Sequence, residues 1–177
     1  MSSHQINLHR WLLAACALAS LGVVACSRKA EPEIHLIPAG YMGDVFILHN
    51  VRDGVPPKHE GAARVYEVPV SGVLRSQTPV PSGRWGPNEV QFFYVSEAGS
   101  RSPIVGDWNG SIHDTPENRA DPSFGIYFRR FGKCSNGGQP CEAEFQQYYV
   151  GTKSFLLDRQ AEPNLFQYLR QNPVRCE

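Results

Sequence analysis

The sequence predicts a mainly β domain, either an antiparallel β-sandwich or a partly closed barrel, with a short C-terminal helix. Three observations carry that expectation. Runs rich in Val, Ile, Phe and Tyr recur along the chain, each bounded by Gly, Pro, Asn or Ser. Helical spacing of apolar residues occurs only near the C-terminus. Heptads, longer repeats and low-complexity blocks do not interrupt the pattern.

The elements follow in order. Ile34–Ile37 and Val45–Asn50 read as strands, separated by Pro38-Ala39-Gly40-Tyr41-Met42-Gly43-Asp44. Pro38 and Gly40 end the first strand and Gly43-Asp44 start the second, with Tyr41 expected to lock the bend. Arg64–Val68 and Gly72–Gln77 come next. Pro69 must end a strand or occupy an edge, because it has no N–H to donate to a ladder. Val90–Val95 opens with polar–apolar alternation and then turns wholly apolar, as a central strand does. The stretch Ser96 to Ser123 is rich in Gly, Pro and polar residues and is expected to leave the sheet. Phe124–Phe131 and Phe145–Val150 are the last strands. An irregular turn is expected at Ser154–Gln160. Pro163 fits a first helical turn, Leu165, Phe166 and Leu169 share one helical face, and Asn172-Pro173 stops the helix.

The N-terminus is of another kind. A polar segment ending in Arg10 precedes fifteen uncharged residues from Trp11 to Ala25. That is the n-region and h-region of a secretory signal, and it falls short of the roughly 20 apolar residues of a spanning helix. Its end, Val23-Val24-Ala25-Cys26, resembles the lipobox of bacterial lipoproteins, although leucine is usual where Val23 stands. The resemblance implies cleavage before Cys26, acylation of that cysteine and, with Ser27 rather than aspartate following, an outer-membrane location facing the periplasm or the surface. Residues 1–25 are then the signal, 26–33 a charged, proline-containing tether and 34–177 a single β-rich domain. Seventeen basic and seventeen acidic residues balance, so bulk charge draws neither nucleic acid nor an acidic bilayer.

Five cysteines occur, with Cys16 inside the signal and Cys26 at the lipidation position. In an exported protein the remaining three are free to oxidise. Cys134 and Cys141 bracket the turn-rich CSNGGQPC between two strand candidates, and proximity favours a Cys134–Cys141 disulfide clipping a hairpin. Cys176 is left over. The six residues between Cys134 and Cys141 fit zinc spacing poorly, and no metal or cofactor is expected.

Candidates for chemistry are sparse. His113-Asp114 suggests a carboxylate-oriented imidazole, yet neighbouring side chains on an extended backbone point apart, and Asp114 equally starts a turn before Thr115-Pro116. His35, His49 and His59 complete the histidines beyond the signal. No GxSxG elbow or HExxH pair is present. Trp85, Tyr94, Tyr127, Tyr148 and Tyr149 could stack a ligand, but strand aromatics usually fill cores. Trp108, flanked by Asp107 and Asn109 in VGDWNG, marks the candidate ligand or partner surface. The pattern points to an envelope-anchored, non-enzymatic β-domain that binds a protein or glycan. Alternatives are a small hydrolase or metal-dependent enzyme using His113/Asp114, and a structural accessory subunit.

The block from Ile34 to Gln77 resembles an uncharacterised domain of bacterial exported and lipoprotein chains. The resemblance lies in Ile37-Pro38-Ala39-Gly40-Tyr41-Met42-Gly43, Gly54-Val55-Pro56-Pro57 and Tyr66-Glu67-Val68-Pro69-Val70-Ser71-Gly72-Val73-Leu74. Tyr149-Val150-Gly151-Thr152 fits its closing strand. It implies a β-domain and supplies no catalytic residues.

Overall fold

The computed structural model describes residues 29–86, 88–105, 112–135, 142–158 and 165–172. Among these residues nine strands form two sheets: β1 (Glu33–Pro38), β2 (Gly43–His49), β3 (Lys58–Glu60), β4 (Ala63–Glu67), β5 (Val73–Arg75), β6 (Val90–Val95), β7 (Arg101–Ile104), β8 (Phe124–Ser135) and β9 (Glu142–Thr152). Three short helices among the described residues accompany them: α1 (Pro116–Ala120), α2 (Lys153–Asp158) and α3 (Leu165–Gln171). One sheet runs β3-β4-β1-β6-β7 and the other β5-β2-β9-β8. The mainly β expectation holds, as a sandwich of two mixed sheets. The purely antiparallel expectation does not, because β1 lies parallel to both β4 and β6, and β2 parallel to β5. The long connections between successive strands allow these parallel crossovers, which a two-residue hairpin cannot make.

Neither sheet closes into a barrel, but the five-stranded one is strongly coiled. Arg101 and Glu60, on its two edge strands β7 and β3, form an ion pair at 2.9 Å. That contact brings the edges within side-chain reach, and Ile34 and Leu36 are each only 9% exposed.

Alternation along each strand sets the layers. Ile37, Val45, Ile47, Tyr66, Phe92, Ile126, Tyr148 and Val150 meet between the sheets. The opposite face of the β5-β2-β9-β8 sheet presents Phe46, Leu48, Phe145, Tyr127 and Tyr149. There α3 covers it through Leu165 and Leu169, and α2 through Leu156. The apolar helical face at the C-terminus is therefore used as its spacing predicts, while Phe166 and Pro163 lie outside what the structure describes at side-chain level.

Several expectations change. The segment expected to leave the sheet contains β7, paired antiparallel with β6, and α1, whose N-cap Thr115 accepts from the Asn118 N–H. Strand β3 has the sequence Lys-His-Glu, fully exposed on an edge, so it offers no hydrophobic signal. The stretch expected as a turn from Ser154 is α2. The segment read as a tether is also docked from Lys29 onward: Lys29 bridges to Arg84 and the Ala30 N–H donates to the Arg84 carbonyl at 2.9 Å.

Candidate functional site

The bend after β1 shows how the recurring glycines and tyrosine are used. Gly40 turns the chain at φ 79°, and the Tyr41 N–H donates to the Pro38 carbonyl at 3.0 Å. The Tyr41 hydroxyl donates to the Asp44 carbonyl at 2.5 Å, and Tyr94 donates to the Tyr41 carbonyl at 3.0 Å. Gly72, before β5, lies against this ring. A Cβ there would strike the Tyr41 hydroxyl and come within 2.5 Å of the Asp44 carbonyl oxygen. Gly54 packs equally tightly on the Arg75–Ser76 backbone, and Val55 exchanges backbone hydrogen bonds with Arg75 and Gln77. The first and third quoted pieces thus meet at Tyr41 and Gly72, while the second packs on the chain at the end of β5. The bend is a lock for the fold.

At the other end of the inter-sheet space the core is polar. Glu33 and His35 lie on the inward face of β1 beside Ile37, and both are wholly buried. A bulge in β8 supplies their cation. The register slips by one residue between Tyr127 and Arg130, so Arg129 turns inward where simple alternation would point it outward. Arg129 donates to Glu33 Oε2. The Gln146 amide oxygen accepts from Arg129 Nη2 and Nε at 3.0 and 2.8 Å in the orientation that satisfies both groups. His35 Nε2 lies 3.0 Å from the same Glu33 oxygen and Nδ1 lies 3.2 Å from the Tyr148 hydroxyl. The network assigns the proton to Nε2 and makes Nδ1 the acceptor from Tyr148. The His35 ring stacks on Phe92 at 4.6 Å between centroids.

Electrostatics support that assignment. Burial lowers the His35 pKa more than the Glu33 contact raises it, so the imidazole is neutral. Burial pushes Glu33 upward, but the His35 hydrogen bond and the Arg129 charge bring it below the usual carboxylate value. His49, also buried, donates from Nδ1 to the Thr78 carbonyl at 3.2 Å, and burial lowers its pKa to about 4. Trp85 and Phe131 cover Arg129 from outside. Their rings are stacked at 5.8 Å, and the guanidinium carbon lies 4.4 Å from the Trp85 centroid.

Chemically, Glu33 orienting His35 resembles a general-base pair, but both side chains are shut away from solvent and engaged with Arg129 and Tyr148. The sequence reading missed Glu33, Arg129 and Gln146. One signal existed: Glu33-Ile34-His35-Leu36-Ile37 sets two ionisable residues on the same face as Ile37. The bulge that redirects Arg129 left no mark that periodicity detects.

The other sequence-derived candidates fall apart from this cluster. Both Asp114 oxygens are held by Arg119, at 2.5 and 2.8 Å, and the His113 carbonyl accepts from Asn118. His59 is on the exposed edge strand β3. Among the described residues, no group of three or more His, Cys, Asp or Glu side chains is arranged to hold a metal. Tyr127, Tyr148 and Tyr149 are buried, and Trp85 is half-buried. Cys134 lies in β8 opposite Ala143 of the antiparallel β9. Cys26, Cys141, Cys176 and the Asp107-Trp108-Asn109 loop lie outside the described residues.

Two cavities open near these elements. One, of about 450 Å³, lies at the carboxyl ends of β1, β4 and β6, lined by Leu36, Pro38, Val68, Val70 and Val95, with Glu67 and Glu97. A smaller one, of about 210 Å³, enters the seam between the sheets beside Tyr66.

No curated protein matches the sequence. A crystal structure of a "Putative Lipoprotein from Bacillus anthracis" shares the fold, with a TM-score of 0.51 at 18% identity over 77% of this chain and 83% of that one. Residues 29–156 match the model of a family described only as "Family of unknown function (DUF6843)". That match spans well over half of the 177 residues and takes in every strand, so the chain belongs to this family of unknown function.

Proposed function

We propose that the chain is an exported lipoprotein, acylated at Cys26 and seated in the outer membrane, whose β-sandwich is a non-enzymatic module that binds a protein or glycan of the envelope. The observation that carries the non-enzymatic reading is the burial of the Glu33–His35 pair, the one carboxylate–imidazole contact among the described residues. A base sealed from solvent meets no substrate. The likeness in fold to a protein described as a lipoprotein and the lipobox-like Val23-Val24-Ala25-Cys26 support the anchor. Lys29 is bridged to Arg84 and stands three positions after Cys26 in the sequence, a span of at most about 10 Å. The sandwich would ride close to the bilayer, with Asp107, Trp108 and Asn109 offered as contact residues.

The hydrolase alternative has weaker support, because it requires an Asp114 carboxylate that Arg119 already holds on both oxygens. Fractionation tests the anchor: Cys26→Ser should move the protein from the membrane to the soluble fraction, and an unchanged distribution would remove it. Crosslinking the native protein in cells tests the module. Repeated recovery of no envelope partner, under conditions that capture other lipoproteins, would count against binding.

A further inference from the structure

A seam between β4 of one sheet and β5 of the other holds the cavity of about 210 Å³. Its walls are Val55, Pro56, Val65 and Leu74, with Tyr66 and Ser76 as the polar members. Lys58 and Glu67 line it too, and their exposed ion pair at 2.7 Å stands at the mouth. A mostly apolar chamber with few polar groups is the usual form of a small-molecule site. A cavity of about 150 Å³ accommodates benzene, so this one has room for a single substituted ring.

The polar members carry the argument further. Tyr66 is 1% exposed, and no acceptor within the protein takes its hydroxyl proton. Its ring contacts His35 at 5.0 Å and His49 at 6.0 Å between centroids. Two buried acceptors stand in that neighbourhood without donors, Glu33 Oε1 and His49 Nε2. His49 Nε2 is an acceptor because Nδ1 carries the proton toward Thr78. The Arg64 guanidinium donates to the Tyr66 oxygen, which leaves the Tyr66 proton to be given elsewhere. Buried donors and acceptors without partners are costly, at about 1–3 kcal/mol each, and such atoms together define what would fit them.

We propose that the seam is a binding site for a small hydroxyl-bearing ring, whose oxygen accepts from Tyr66. The site does not depend on acylation of Cys26 or on any macromolecular partner. Phenol and toluene test it, since they differ in a hydroxyl against a methyl of similar size. Methyl-detected NMR of the purified full-length chain should show phenol shifting the Val55, Val65 and Leu74 methyls saturably, about tenfold more tightly than toluene. Tyr66→Phe should bring the two affinities together. Equal binding of both rings to the native chain would reduce the seam to an unspecific apolar void and overturn the proposal. So would the absence of saturable shifts, or a Tyr66→Phe chain that still prefers phenol.

Discussion

The two ends of the space between the sheets are built on opposite physics. At the Tyr41 end, a ring, a glycine at φ 74° and a short hydroxyl-to-carbonyl bond fix three strands with no net charge involved. At the Glu33 end, a carboxylate, a guanidinium and two neutral imidazoles are enclosed among aromatic rings. The first end depends on shape and fails when atoms are added. The second depends on completeness and fails when a partner is removed, because a buried charge left alone is far worse than a buried pair.

Breaking the pair should give the largest effect. Glu33→Ala leaves the largely buried Arg129 without its counter-charge and is expected to cost about 3–5 kcal/mol in urea unfolding. The double variant Glu33→Leu with Arg129→Met should recover most of that loss. A double variant no more stable than the single would mean that the loss comes from packing and not from an uncompensated charge.

Acid probes the same end without mutation. The folded protein keeps His49 neutral down to about pH 4, beside Glu33, His35 and Arg64, whereas the unfolded chain takes up a proton near 6.5. The unfolded state therefore binds more protons within that interval, and stability falls as pH drops from 6.5 toward 4, by about 3 kcal/mol for this group. His35, lowered in the same direction, adds to the loss, and Glu33 contributes only at still lower pH. Urea midpoints at stepped pH should decline less steeply in His49→Phe; parallel curves would remove His49 as a source.

The Tyr41 end is sharpened by the smallest of the three changes. Gly72→Ala adds one methyl group at a positive φ, against the Tyr41 hydroxyl and the Asp44 carbonyl, and is expected to cost about 2 kcal/mol. Tyr41→Phe in the same chain should return part of that, since only the hydroxyl clash is relieved. The dependence on pH should stay that of the native protein, separating this lock from the charged end.

Legibility in the sequence follows the same division. Val90–Val95 was readable to the residue, and β1, β2, β4, β8 and β9 to within a few, because apolar alternation and glycine boundaries are local properties. The edges were not: β3 is Lys-His-Glu and β7 is Arg-Ser-Pro-Ile, held by backbone pairing to neighbours that their own side chains do not announce. His35 and His49 were visible as candidates, but not their enclosure.

By itself the sequence determined the mainly β class, the Tyr41 bend and the amphipathic face of α3. Those rest on residue type and spacing along a few consecutive positions. Only the tertiary structure decided that the sheets are mixed, that Gly72 receives Tyr41, and that one bulge turns Arg129 toward Glu33. Each of these joins residues about 30 to 100 positions apart, where the deciding energy is that of contacts and enclosed charge, which no local run of sequence expresses.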